Sequence, residues 1–240
     1  MTTPMLYRLD AYLREATATV LEITEQGGIV PDRSVFYPTG GGQPGDSGKV
    51  YWDGGECSVA TTVKGEGDHV VFVPSDAQPL PAVGTKIRME LDWQRRYSLM
   101  RVHSALHLLS VAIPFGVTGG SISEGRGRLD FDMAEPPSDK DAITQELNRM
   151  IATDAAISES WITDEELDAK PELVKTMSVK PPRGSGRIRL IRIGTESDQI
   201  DLQPCGGTHV ARLSEIGTVR LGKVEKKGRM NRRVYLHLND

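Results

Sequence analysis

Two pairs of candidate metal ligands constrain the fold of this 240-residue chain more than any other feature of its sequence. His103 and His107 lie in HSALH, and Cys205 and His209 lie in PCGGTH. On a helix, a spacing of four places both imidazoles on one face, and glycines let the second motif turn tightly around a ligand. A thiolate with imidazoles suits zinc better than Mg²⁺ or Ca²⁺. We therefore predict a site for one zinc ion, with ligands from two segments that the fold must bring together.

Residues 1–91 have the pattern of a small all-β domain, and a barrel is the expected architecture. Residues 16–20 and 86–91 alternate between apolar and polar side chains, and residues 70–73 are rich in β-branched side chains. Turn-rich stretches separate these segments, among them the glycine-rich segment at residues 39–48.

Residues 92–240 have a mixed pattern that predicts an α+β domain, with helices packed on an antiparallel sheet. A helix is expected to begin at Asp92 as its N-cap and to end before Pro114, and Ser138 and Thr163 are the predicted caps of two further helices. Strands are predicted at residues 187–193, 217–221 and 233–238.

Two familiar hydrolase motifs are excluded by the residues around them. HSALH is not the HExxH of zinc peptidases, because Ser104 occupies the position of the glutamate that acts as general base. The GDSG at residues 45–48 is not a chymotrypsin-type nucleophile loop, since every histidine follows Ser47 in the chain. Peptidase activity is therefore disfavoured.

Charge is divided unevenly along the chain, although the net value is only −4. Residues 130–172 hold 13 acidic residues against 3 basic ones, whereas residues 181–240 hold 12 basic residues against 6 acidic ones. A basic C-terminal region suits contact with a phosphate backbone. A solvated charged face without a partner is the alternative that charge alone leaves open.

The cellular compartment is predicted from what the sequence lacks. No apolar run approaches the roughly 20 residues of a membrane helix, and the N-terminus has no secretory pattern. The two cysteines, Cys57 and Cys205, are poor candidates for a structural disulfide in a reducing compartment. We expect a cytoplasmic protein.

Several segments together resemble one family. HSALHLL at residues 103–109 and CGGTH at residues 205–209 resemble the editing domain of alanyl-tRNA synthetase and its free-standing relatives, the AlaX alanyl-tRNA editing proteins. FYPTGGGQPGDSG at residues 36–48 and EIGTVRLGKVEKKGRMNRRVYL at residues 215–236 are similar to the N-terminal barrel and the C-terminal strands of that family. The glycine-rich segment indicates the larger AlaX form, which keeps the barrel.

This resemblance implies an activity and a partner. It implies deacylation, in trans, of tRNA(Ala) mischarged with serine and to a lesser extent glycine, by an enzyme that holds one zinc ion. Neither a nucleotide cofactor nor a membrane is expected. A monomer is favoured, and the sequence leaves the oligomeric state open.

Further site residues are predicted beside the metal ligands. A synthetase pocket made to activate alanine cannot sharply reject serine, so a separate editing site must recognise the serine hydroxyl. Zinc could hold the substrate or activate water, and the sequence leaves both roles open. The candidates for reading the hydroxyl are Ser104, Thr208 and Gln43. The candidates for contact with tRNA are Lys226, Lys227, Arg229, Arg232 and Arg233.

Three alternatives stay open at this point. The chain could be a non-catalytic, zinc-containing tRNA-binding module, or a zinc hydrolase for a small ester or amide. It could also edit a different aminoacyl-tRNA, since threonyl-tRNA synthetases share a related editing domain.

Overall fold

Six strands close into a barrel in the first of the two units into which the chain divides, Met1–Tyr97 and Ser98–Asp240. This computed structural model describes residues 3–76, 78–177 and 187–239. The barrel strands are β1 (Glu15–Ile23), β2 (Ile29–Pro31), β3 (Gly48–Trp52), β4 (Gly55–Lys64), β5 (Val70–Pro74) and β6 (Lys86–Leu91). They follow the order β1-β2-β5-β4-β3-β6 around the barrel, and all neighbours are antiparallel.

Alternation along the strands fills the barrel. In β6, Ile87, Met89 and Leu91 are buried while the residues between them are exposed, because successive side chains point to opposite faces of a strand. Phe36 and Phe72 contact each other in the core at a centroid distance of 4.9 Å. The predicted barrel is confirmed.

Helix α1 (Trp93–Ala112) follows the barrel, and the chain passes from the first unit to the second inside it. Asp92 caps the helix as predicted, since its carboxylate accepts a hydrogen bond from the backbone N–H of Arg95 at 3.2 Å. In the first unit, the buried guanidinium of Arg96 binds the carboxylate of Asp46, which lies in the glycine-rich segment. Arg96 therefore ties that segment to the first turns of the helix.

The described residues of the second unit form two antiparallel sheets and, besides α1, two further α-helices. In chain order its elements are β7 (Val117–Ser123), β8 (Arg126–Asp132), α2 (Lys140–Ala152), β9 (Ile157–Ile162), α3 (Asp164–Asp168), β10 (Ile188–Gly194), β11 (Gln199–Pro204), β12 (Val219–Gly228) and β13 (Asn231–Leu238). One sheet has the order β12-β13-β8-β7, and the other has the order β11-β10-β9.

Helices α1 and α2 both pack on the four-stranded sheet. A Cβ atom at Gly127 of β8 would lie 2.7 Å from the side chain of Val102 and 2.9 Å from that of Leu106, so the glycine permits the close approach of α1. The side chain of Asn148 in α2 donates to the carbonyl of Val219 in β12 at 2.8 Å and accepts from its N–H at 2.9 Å. The predicted α+β class is confirmed.

Local predictions in this unit are confirmed in one case and wrong in another. Thr163 and Glu166 form the capping box of α3 as expected. Helix α2 is capped by Asp139 rather than by Ser138, because the Asp139 carboxylate accepts from the N–H of Ala142. None of the described helices combines the length and apolar character needed to cross a membrane.

Candidate metal centre

Helix α1 presents the first two candidate ligands from its buried face. His103 and His107 are each only 6% exposed, and their ring centroids lie 5.4 Å apart. Residues four apart on a helix are stacked one turn above the other, so both imidazoles extend to the same side. The helix thereby fixes the spacing of half of the site.

The other two ligands come from the loop that follows β11. Sγ of Cys205 lies 3.4 Å from Nε2 of His103 and 3.3 Å from Nε2 of His209. The ligand atoms of these residues and His107 all lie within 4.8 Å of one another, so the group could hold a metal ion. Zinc bonds of about 2.0–2.3 Å in tetrahedral geometry place ligand atoms roughly 3.5 Å apart. The nitrogen and sulfur donors and their spacing therefore fit zinc.

A buried carboxylate supports His107 from behind. Oδ2 of Asp201 lies 2.9 Å from Nδ1 of His107, and Nε2 of Gln203 donates to the same oxygen at 2.7 Å. The ammonium of Lys175 binds the other carboxylate oxygen. With Nδ1–H donating to Asp201, the lone pair of Nε2 is free for a metal.

Neighbouring groups set the ionisation of Asp201. Burial alone would raise the pKa of its carboxyl, but the hydrogen bond from His107 and the charge of Lys175 outweigh that effect and lower the pKa to about 2. Asp201 is therefore an anion that accepts hydrogen bonds across the physiological range of pH.

His209 is held by a serine of α1. Oγ of Ser104 lies 3.1 Å from Nδ1 of His209 and accepts from the N–H of Val210 at 3.3 Å. A histidine that ligates a metal through Nε2 carries its proton on Nδ1, so Nδ1–H of His209 would donate to Oγ of Ser104, which can accept this bond as well as the one from Val210. This contact directs Nε2 of His209 towards Cys205.

The loop that carries Cys205 is held by an arginine of β10. Nη1 of Arg189 donates to the carbonyl of Gly207 at 2.8 Å and to that of Cys205 at 3.2 Å, while Nε binds Glu159 of β9. The N–H of Gly207 points at Sγ of Cys205 at 3.4 Å. Arg189 thus fixes the loop through its backbone.

The surroundings of Cys205 favour the thiolate form of its side chain. Burial would raise the pKa of the Cys205 thiol, but His103 and His209 outweigh burial and hold the pKa well below its usual range. A thiolate is the form that ligates metal. Cys57, by contrast, lies in the barrel core, where burial raises its pKa to about 11.

Comparison with known proteins identifies the family. Residues 188–235 match the family described as the threonyl and alanyl tRNA synthetase second additional domain, and residues 9–95 match tRNA synthetases class II (A). An alanyl-tRNA editing protein AlaX-M of Methanosarcina barkeri is 35% identical over 248 residues, which cover 99% of this chain and 100% of that protein. The chain belongs to the AlaX-M family of alanyl-tRNA editing proteins. An AlaX-M protein of Saccharolobus solfataricus, 34% identical over 240 residues, covers 97% of this chain and 98% of its own length.

Longer relatives contain the same region as a part. An alanine–tRNA ligase of Pyrobaculum neutrophilum is 35% identical over 234 residues, which are 93% of this chain but only 25% of the ligase. The AlaX-M family member therefore corresponds to about a quarter of that ligase.

The three predicted substrate-reading residues are all buried. Ser104, Thr208 and Gln43 each have no exposed surface. Ser104 belongs to the support of His209, and Thr208 lies between the two motif residues Gly207 and His209. Gln43 lies in the first unit, in the glycine-rich segment. A role in reading the substrate stays a prediction for all three residues.

The five predicted tRNA contacts fall into two groups. Lys226, Lys227 and Arg229 are exposed at the tip of the β12–β13 hairpin. Arg232 is buried and donates to the carbonyls of Gly228 and Asn231. Arg233 forms a two-pronged ion pair with Asp130 of β8, with distances of 2.8 and 2.9 Å. Arg232 therefore stabilises the hairpin turn and Arg233 links β13 to β8, while contact with tRNA stays a prediction for all five residues.

Sequence reasoning missed the residues that support the ligands. Asp201, Gln203 and Cys205 alternate along β11 and its exit, so they share one face of the strand. That polar alternation before a candidate cysteine ligand is a signal the sequence does carry. Lys175 and Arg189 have no comparable signal, because their contacts depend on which segments pair.

Proposed function

We propose that this AlaX-M family member acts in trans to hydrolyse the ester bond of tRNA(Ala) mischarged with serine, and more slowly with glycine. Water adds to the ester carbonyl, the bond to the ribose oxygen breaks, and that oxygen gains a proton. The products are the free amino acid and uncharged tRNA. The observation that carries the proposal is the group of His103, His107, Cys205 and His209, of which the three histidines are buried, in a chain that matches AlaX-M relatives over nearly all its length.

The need for a second site explains why serine is the favoured substrate. The activation pocket of a synthetase built for alanine rejects serine by only about a hundredfold, because serine merely adds a hydroxyl. A site with a fixed polar partner for the hydroxyl disfavours alanine, because alanine leaves that partner unpaired. Thr208 and Gln43 are our candidates for this partner.

The four donor residues would hold zinc, and their supports would keep the donor atoms in place. When bound, zinc supplies a positive centre that can orient the aminoacyl group or activate a water. Asp201 holds the proton on Nδ1 of His107, and Arg189 keeps the Cys205 loop folded around the thiolate. Ser104 orients His209, and we assign it this positioning role in place of substrate reading.

The tip of the β12–β13 hairpin would contact the tRNA backbone. Lys226 and Arg229 are exposed, and within the described part of the chain neither has an ion-pair partner. Lys227 shares Glu225 with Lys223, so its charge is partly compensated. Lysine and arginine side chains that reach phosphates give binding that weakens steeply with salt.

One observation favours a second candidate function. Four protein donors complete the tetrahedral coordination of a structural zinc, whereas catalytic zinc sites commonly keep a position open. The chain would then be a tRNA-binding module that folds around its metal and has no turnover.

A single assay separates these functions. Ser-tRNA(Ala), Gly-tRNA(Ala), Ala-tRNA(Ala) and Ser-tRNA(Thr) are offered to the zinc-loaded and to the chelated protein, and the released amino acid is measured. We expect serine and some glycine to be released from tRNA(Ala) alone, and release to be lost on chelation. Release from none of the four would favour the binding module, and release from tRNA(Thr) would reassign the substrate. His69→Gln, which changes a histidine of the first unit, is the control for nonspecific metal effects.

A further inference from the structure

A row of basic side chains crosses the four-stranded sheet of the second unit. Arg220 of β12 lies directly opposite His237 of β13, and His237 lies directly opposite Arg126 of β8. Gly127, the neighbour of Arg126, faces helix α1, so the row lies on the opposite face of the sheet. Arg126 and Arg220 are exposed, and His237 is half-buried. We call these three residues the basic row.

Folding alone does not account for the basic row. Arg126 and Arg220 lie two strands apart on one face with only the His237 imidazole between them, and uncompensated like charges on one face repel each other. Within residues 3–76, 78–177 and 187–239, neither Arg126 nor Arg220 forms an ion pair with a carboxylate. The two guanidinium groups therefore flank His237 without compensation.

A second row on the same face shows how this sheet compensates charge elsewhere. Arg233 of β13 lies between Glu225 of β12 and Asp130 of β8 in the strand register. Asp130 accepts two hydrogen bonds from Arg233, and Glu225 binds the ammonium groups of Lys223 and Lys227. Acidic residues thus flank the arginine of this row, whereas in the described strands no acidic residue lies in register with the basic row.

The imidazole of His237 is affected by its two neighbours. Its pKa is lowered first by partial burial and then by the charges of Arg220 and Arg126. The ring lies across Gly222 of β12, where a Cβ atom would come within 2.7 Å of Nε2. The glycine therefore leaves room for the ring, and the positive potential of the row acts on it.

We propose that the basic row binds consecutive phosphates of the tRNA backbone, at a contact separate from the hairpin tip. The row covers two strand spacings, about 10 Å, which is longer than one phosphate group. Guanidinium groups suit phosphate oxygens because they donate two parallel hydrogen bonds. This inference rests on the proposed function for the identity of the RNA, but its test does not depend on turnover.

The test measures binding of labelled, uncharged tRNA(Ala) to the zinc-loaded full chain over a range of salt concentrations. The logarithm of the affinity falls linearly with the logarithm of the salt concentration, and each lost phosphate contact makes this slope less steep. Arg126→Gln and Arg220→Gln are each expected to reduce the magnitude of the slope by about one, and the double variant by about two. Arg149→Gln is the matched control, because Arg149 is an exposed arginine on α2 that pairs with Glu146. It should leave the slope unchanged.

A folding control separates lost contact from lost structure. Removing either guanidinium relieves repulsion in the row, so the midpoint of thermal unfolding should stay the same or rise. A weaker affinity with an unchanged or higher midpoint supports the phosphate contact.

The inference and the proposed function fail in different ways. If the wild type binds tRNA and the double variant keeps the same affinity and salt slope, the basic row is not a phosphate contact. Absence of tRNA binding by the wild type also overturns it. If the double variant loses salt-dependent binding while the wild type releases no serine, the row is supported and the hydrolase proposal fails.

Discussion

The carboxylate of Asp201 lies 2.9 Å from Nδ1 of His107, and the same carboxylate binds the ammonium of Lys175. Such an outer partner fixes which ring nitrogen carries the proton and how the ring is oriented. Asp201→Asn is expected to weaken zinc binding by about 10- to 100-fold, because a neutral amide is a poorer acceptor from His107. Competition with a chromophoric chelator measures the change. Asp198→Asn, at an exposed acid of the turn before β11, is the control, and equal affinities for the two variants would contradict the role of Asp201.

Arg189 is expected to act on metal binding through the backbone of the ligand loop. Lysine cannot donate to Glu159 and to the loop carbonyls with the same planar geometry, so Arg189→Lys should weaken zinc binding by roughly tenfold. Arg192→Lys on the same strand is a matched control, because the guanidinium of Arg192 binds the exposed side chain of Gln199 and lies outside the hydrogen bonds that hold the Cys205 loop. The same chelator competition measures both. If the two lysine variants bind zinc equally well, Arg189 does not hold the loop.

Ser104 distinguishes a positioning role from substrate reading. If its hydroxyl orients His209, Ser104→Ala should lower kcat/KM for Ser-tRNA(Ala) and Gly-tRNA(Ala) by the same factor. A residue that read the serine hydroxyl would affect the serine substrate alone. The measurement is kcat/KM for Ser-tRNA(Ala) divided by kcat/KM for Gly-tRNA(Ala). A lower ratio in the variant than in the wild type would show that Ser104 reads the serine hydroxyl.

Substitutions at the β12–β13 hairpin are expected to affect either the stability of the fold or tRNA binding, depending on whether the side chain is buried or exposed. Arg232→Gln removes a buried guanidinium that satisfies two carbonyls, so the free energy of unfolding should fall by about 1–3 kcal/mol. Lys226→Gln should leave the free energy of unfolding unchanged. It should reduce the magnitude of the slope of log tRNA affinity against log salt by about one. Denaturant unfolding and salt-dependent binding are measured on both variants. A stable Arg232 variant that binds tRNA weakly would restore Arg232 as a direct contact.

The parts of this fold that depend on residues close together in the sequence could be predicted from the sequence. The alternation of β6 and the spacing of four on α1 are local, so the barrel and the pairing of His103 with His107 could both be predicted. Strand β9 was not predicted because its residues are mostly exposed, which leaves no buried face to set an apolar period.

Contacts between distant segments lie beyond such reasoning. Arg189 reaches the Cys205 loop only because β10 pairs with β11, and Lys175 reaches Asp201 from a separate segment. Arg232 and Arg233 are a different case. Adjacent residues of a strand point to opposite faces, so a strand assignment that included both would have predicted that only one faces solvent.

The most direct test of the account is a titration of zinc into the metal-free chain, with bound metal and serine release from Ser-tRNA(Ala) followed together. We predict that the rate rises in proportion to bound zinc and reaches its limit at one ion per chain. His103→Ala and Cys205→Ala should bind little zinc and release little serine under the same conditions. Metal-free protein that releases serine at the full rate, or variants that keep both zinc and activity, would contradict a catalytic site built on these residues.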